Sequence, residues 1–305
     1  MIDSPANNTT YTVIASDGNG CTDDTTINVV VNPLPASNAG ADVSICFGSN
    51  TTLNAIGNGA FVWAPSTGLS CTTCSNPTAD PTATTTYTVT ITNSCGSISD
   101  SVIVSVRPLP IASAGADATI CIGQSTTLNA SGGGTYSWSP SAGLNNTTIA
   151  NPVASPTVPT DYTVTVTEIC GSASDVVSVI VNPLPAAAIS GNDTVCAGET
   201  DTLFASGGGT YLWNDGSVND TLIINPTGVT GYTVTVTSAA ACTNTATFTV
   251  NISTVTASIS GTSTTICSGE SATLTAAGGG TYSWSTGSST TTIVVSPTTP
   301  TNYTV

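Results

Sequence analysis

The chain repeats itself, and that fact limits its architecture more than any other. Asn-Pro-Leu-Pro stands at residues 32–35 and 182–185, with Arg-Pro-Leu-Pro at 107–110, a spacing of 75 residues each time. Trp63, Trp138, Trp213 and Trp284 follow at intervals of 75, 75 and 71. Tyr-Thr-Val begins at Tyr11, Tyr87, Tyr162, Tyr232 and Tyr303. A fixed period of this kind means one supersecondary unit copied along the chain. Three complete modules follow, at 36–110, 111–185 and 186–254. Residues 1–35 read as the C-terminal part of an earlier module, and residues 255–305 as an incomplete later one. Both ends fall at the same phase of the repeat. The chain therefore reads as a piece of a longer tandem array, or as a unit whose two ends complete each other.

Inside a module every signal is β. Residues 161–167 alternate, with Tyr162, Val164 and Val166 on one face and Thr163, Thr165 and Thr167 on the other. Gly132, Gly133 and Gly134 read as a hairpin turn at positive φ. No helical period of useful length occurs. Short strands separated by Gly and Pro turns every 8–12 residues predict a β-sandwich. The expected fold is all-β, tandem sandwich modules arranged as an extended rod. Each Trp, with its neighbour Phe61, Tyr136, Tyr211 or Tyr282, is expected to fill the core between sheets.

Ten cysteines with no histidine point to an oxidising compartment. Cys46 and Cys95, Cys121 and Cys170, and Cys196 and Cys242 fall at matched positions. The first of each pair precedes the Leu-containing strand, and the second follows the Tyr-Thr-Val strand. They are expected to pair within modules, because a module of this size has a small core and gains from a loop-closing bond. Cys71 and Cys74 form Cys-Thr-Thr-Cys in one module only and read as a loop-stapling disulfide. Cys21 and Cys267 are left over, with partners outside the chain. Truncation accounts for them, and so does end-to-end pairing of copies, with Cys267 of one meeting Cys21 of the next.

Charge narrows the function. The chain holds 17 acidic residues and one cation, Arg107, for a net charge of −16. Nucleic-acid binding needs cations that are missing here. Catalysis through histidine and a lysine-bearing phosphate loop are equally excluded. No run of 18 apolar residues exists, so no helical membrane insertion is expected. Asp42, Asp117 and Asp193 recur near module starts, and Asp100 and Asp175 before the last strand. They read as solvated turn residues. Calcium at module junctions would need several oxygens converging on one point, and no Asp-x-Asp-x-Asp run supplies them. No cofactor is expected, and no acidic residue stands out as catalytic.

The pattern at residues 108–172 is Pro-Leu-Pro, Ala-Gly-Ala-Asp, Ile-Cys, Leu-Asn-Ala, Tyr-Ser-Trp-Ser-Pro, Tyr-Thr-Val-Thr-Val-Thr and Cys-Gly-Ser. It resembles the Ig-like and PKD-like modules of secreted Bacteroidota proteins, and the resemblance covers essentially the whole chain. It implies export by the type IX system and a place in a large adhesin, surface filament or multidomain enzyme. It also implies O-glycosylation where Asp precedes Ser or Thr, at Thr25, Ser101, Thr194, Thr202 and Thr221. The reading of the whole is a structural, non-enzymatic segment of an extracellular or cell-surface stalk, adhesin or filament. Its partners would be copies of itself or neighbouring modules of a longer chain. The alternative is an adhesive or carbohydrate-binding accessory module that takes surface glycans, which would require an exposed aromatic platform.

Overall fold

The computed structural model describes residues 2–305. Every regular element among them is a strand. The chain divides into two compact units, one of Met1–Ala118 with Gly123–Ile180, the other of Thr119–Ile122 with Val181–Val305.

In the first unit, strands between Val43 and Arg107 form a sandwich. Its larger sheet orders the strands as Val43–Cys46, Gly96–Arg107, Thr85–Asn93 and Ala60–Ala64. A small sheet of Thr51–Thr52 and Thr78–Ala79 faces it. The alternation in Thr85–Asn93 explains the arrangement. Tyr87, Val89 and Ile91 are fully buried, while the threonines between them turn outward. Each such residue contributes roughly 1.5–3 kcal/mol by leaving water. From the facing layer Leu53, Ala55 and Ala79 close the same core. On the outer face, Thr88, Thr90 and Thr92 hydrogen-bond across the ladder to Ser101, Ser99 and Ser97 at 2.8, 2.9 and 2.8 Å. An uncharged surface thereby satisfies part of its own polar groups.

Two pairings fix the ends of this sheet. Thr85–Asn93 and Gly96–Arg107 form an antiparallel hairpin closed at Asn93↔Gly96. Val43–Cys46 runs parallel to the far end of Gly96–Arg107, with Cys46 opposite Arg107. The second repeat matches it: the hairpin of Thr160–Glu168 and Gly171–Asn182 closes at Glu168↔Gly171. Also in the first unit, Thr9–Ser16 and Thr22–Val29 make a hairpin of their own.

In the second unit, strands between Ala188 and Ser253 build a sandwich from two sheets. One is Ala188–Ser190, Asp201–Ser206 and Thr221–Ile224. The other is Thr194–Cys196, Thr243–Ser253, Thr230–Thr237 and Thr210–Trp213. Leu203 and Ile224 from the first meet Trp213, Val234, Val236 and Val250 from the second. Residues 255–305 hold a three-stranded sheet, Ser258–Gly261, Ala272–Ala277 and Thr292–Val295, around Trp284.

The glycine triads are not hairpin turns. Gly207–Gly209 leads from Asp201–Ser206, in one sheet, to Thr210–Trp213, in the other. Positive φ is needed, as expected, but so is space. A Cβ on Gly207 would sit 2.9 Å from the Ala186 carbonyl oxygen, and one on Gly209 would collide with that of Thr237. The crossing squeezes backbone between backbone, and only a residue without a side chain fits.

Candidate functional site: cystines between consecutive repeats

All four tryptophans are buried, and each donates its indole N–H inward. Trp63 bonds the Cys74 carbonyl at 3.0 Å, Trp138 that of Ile149 at 2.9 Å, Trp213 that of Asn219 at 2.9 Å and Trp284 that of Thr290 at 2.8 Å. Their neighbours Phe61, Tyr136, Tyr211 and Tyr282 are only half-buried and lie at the margin of the core. Tyr87 and Tyr162 sit in the core instead. Their hydroxyls donate to the carbonyls of Thr67 at 2.8 Å and Ala142 at 2.7 Å. Burial raises the pKa of both phenols by disfavouring the phenolate. None of the four repeats exposes a tryptophan that its siblings bury.

The recurring aspartates are not idle turn residues. Asp100 accepts the Ala39 N–H at 2.8 Å, and Asp175 accepts that of Ala114 at 2.8 Å. Asp42 and Asp117 accept the N–H groups of Ile103 and Ser178 at 2.8 and 2.9 Å. Each pair ties the leading segment of a repeat to its last strand. The bond from Ala39 lowers the pKa of Asp100, and that from Ala114 lowers the pKa of Asp175. Asp193 uses its backbone carbonyl for the same purpose, accepting from Asn251 N–H at 2.8 Å. Among the described residues, no three His, Cys, Asp or Glu side chains gather as a metal site.

The cysteines overturn the expected pairing. Cys46 is bonded to Cys170, with Cα atoms 5.4 Å apart, and Cys121 to Cys242, at 5.6 Å. Each bond joins one repeat to the next. Cys95 and Cys196, expected to be bonded to Cys46 and Cys242, are free and exposed, as are Cys21 and Cys267. The reason is the geometry of the last strand. Cys46 lies opposite Arg107, while Cys95 sits at the hairpin tip just before Gly96. A strand of that length separates its ends by roughly 36 Å, whereas a disulfide needs Cα atoms within about 7 Å. The second repeat obeys the same constraint. Ile122 N–H bonds the Asn182 carbonyl at 2.9 Å, so Cys121 stands at one end of Gly171–Asn182 and Cys170 at the other. In the third repeat Cys196 opposes Ser253, and Cys242 precedes Thr243 at the far end.

Cys71 and Cys74 are bonded to each other, with Cα atoms 6.1 Å apart, in the loop whose Thr72 and Cys74 carbonyls hold Trp63. The five positions considered for glycosylation all lie on strands. Thr25, Ser101 and Thr194 are exposed, and Thr202 and Thr221 are half-buried. Ser101 is engaged with Thr88 at 2.8 Å, and Thr194 donates to Asp193 at 3.1 Å.

No family model matches the chain. No curated protein matches it. Among solved structures, the I-band fragment I67–I69 from titin is 15% identical, covering 73% of this chain and 100% of that one with a TM-score of 0.45. Sidekick-1 immunoglobulin domains 1–5 are 16% identical over 82% of this chain and 67% of that one, with a TM-score of 0.39. Extracellular cadherin domains 1–4 of protocadherin gamma B7 are 12% identical over 81% and 84%, with a TM-score of 0.37. The sandwich assignment rests on this chain's own sheets and cores.

Proposed function

We propose that the chain is a structural segment of an extracellular stalk or adhesin, built from Ig-like repeats, with the first complete repeat bolted covalently to the second and the second to the third. The observation that carries this reading is the pair of cystines, Cys46–Cys170 and Cys121–Cys242, which follow one rule. A bond inside a repeat would stabilise that repeat alone. A bond from a strand end of one repeat to the hairpin tip of the next restrains the junction, where a string of sandwiches would otherwise flex. The Pro-rich links at 32–35, 107–110 and 182–185 restrict bending further. Disulfides of this kind persist in oxidising surroundings, which supports a location outside the cell. The export route in this reading is type IX secretion, on the strength of the resemblance at residues 108–172. With the tryptophans spent on cores and their N–H groups satisfied, the stalk reading is preferred to carbohydrate binding.

Small-angle scattering of the chain with and without reductant tests the proposal. A stalk gives an elongated particle whose distance distribution broadens when the cystines are reduced. A compact particle, or an elongated one indifferent to reduction, refutes it.

A further inference from the structure

The two inter-repeat cystines use two kinds of cysteine. Cys46 and Cys121 end the first strand of a four-stranded sheet. Cys170 and Cys242 stand at the tip of the last hairpin. The four free thiols divide into the same kinds. Cys95 is a tip cysteine, between Asn93 and Gly96. Cys21 is another, in the turn between Thr9–Ser16 and Thr22–Val29, where its N–H bonds Asp17 Oδ1 at 2.9 Å. Cys196 is a strand-end cysteine opposite Ser253. Cys267 holds the same place in its repeat: Glu270 N–H bonds its carbonyl at 3.0 Å, as Glu199 N–H bonds that of Cys196 at 3.1 Å. All four are exposed. Two free tips therefore match in number one free strand end, Cys196, and one cysteine at the equivalent position, Cys267, and their equivalents elsewhere in the chain are already bonded to each other.

We infer that Cys196 and Cys267 are linkage sites for tip cysteines, and Cys21 and Cys95 for strand-end cysteines, of further sandwich repeats of this kind. Those repeats come from a second copy of the chain or from repeats continuous with it. With a second copy, the rule assigns Cys196 to the partner copy's Cys21 and Cys267 to its Cys95. Cys21 and Cys95 are one repeat apart, and so are Cys196 and Cys267. An alignment that brings one pair together therefore brings the other into register. In an end-to-end series, only Cys21 and Cys95 of the first copy and Cys196 and Cys267 of the last then stay free.

The chemistry is thiol–disulfide exchange with a low-molecular-weight disulfide. One protein thiolate attacks a sulfur of the reagent, forming a mixed disulfide and releasing one small thiolate, which takes up a proton. The second protein thiolate attacks the protein sulfur of that mixed disulfide and releases the second small thiol. Two protein thiols become one cystine, and the reagent is reduced to two thiols.

The inference deepens the stalk reading and rests on it for the oxidising setting. Its test uses the 305-residue chain with its internal cystines intact, incubated with oxidised glutathione and resolved on a non-reducing gel. Covalent oligomers should form, with Cys196–Cys21 and Cys267–Cys95 the dominant linked peptides. The Cys21→Ser/Cys95→Ser variant should lose these oligomers. In native material, Cys196 joined to a tip cysteine from sequence beyond the 305 residues supports the same inference with the continuous source. Four thiols that remain alkylatable in native material and in the oxidised chain would overturn it. So would tip–tip and strand-end–strand-end links in yields equal to the assigned ones. A chain that scatters as a rod yet never links refutes this inference and leaves the stalk standing; a compact particle with the assigned links does the reverse.

Discussion

Removing the bond between Cys46 and Cys170 is the most direct way to weigh what joins these repeats. Cys46 is held against Arg107 in the folded first repeat. When the second repeat unfolds alone, the bond therefore closes a loop from Arg107 to Cys170, on the order of 60 residues, for about 4 kcal/mol of chain entropy. When both repeats unfold, the full separation of 124 residues is released, and the same relation gives about 5 kcal/mol. The Cys46→Ser/Cys170→Ser variant should thus lose up to about 4 kcal/mol from the second repeat, a fall in Tm of about 15–30 °C for a domain of this size. The assay is thermal melting followed by tryptophan emission, since Trp63 and Trp138 report their own buried cores. Cys95→Ser, made in the same background, should shift stability by less than about 0.5 kcal/mol, as an exposed surface change does. A Cys95→Ser variant that melts as early as the double variant would show that the intra-repeat pairing holds after all. A double variant that melts with the parent would show that the junction bond contributes nothing.

Other perturbations separate the local forces. Tyr87→Phe leaves the Thr67 carbonyl without its donor in the core and should cost about 1–2 kcal/mol in urea unfolding; Tyr232→Phe, at a half-buried position, should cost less. Gly132→Ala drives a Cβ to 2.0 Å from the Ile111 carbonyl oxygen at φ +138°. Overpacking and backbone strain together put its loss at about 3 kcal/mol by circular-dichroism melts. Gly208→Ala meets nothing within 4 Å at φ +68° and should lose only about 1 kcal/mol. The carboxyls of Asp100 and Asp175 are held below their ordinary range by backbone N–H bonds. A depressed folded pKa gives stability that is present above the unfolded value and lost as pH falls through the folded one. Unfolding titrations should therefore show stability declining below about pH 4, and the Asp100→Asn/Asp175→Asn variant should flatten that decline.

Much of the architecture can be read from short-range pattern. The alternation in Tyr87, Val89 and Ile91 names the buried face without reference to any partner, because successive side chains on a strand point to opposite sides. The spacing of Trp63, Trp138 and Trp213 marks one core position in each repeat, and each is buried. The glycine triads announce positive φ, yet they do not say that the chain is changing sheets. That depends on which strands pair on either side. The hairpin-tip position of Cys95 was also within reach, since it falls between two strand-like runs. The strand-end position of Cys46 was not, because it depends on Val43–Cys46 pairing in parallel with the far end of Gly96–Arg107.

The recurring Trp position and the inward face of the Tyr-Thr-Val strand are legible in the sequence alone, since period and alternation are properties of neighbouring residues. Which sulfur meets which was settled only in three dimensions. A cystine demands two Cα atoms within about 7 Å, and the ladder joining the first strand to the last carries Cys46 to the opposite end of its repeat from Cys95 and within reach of the next repeat's Cys170.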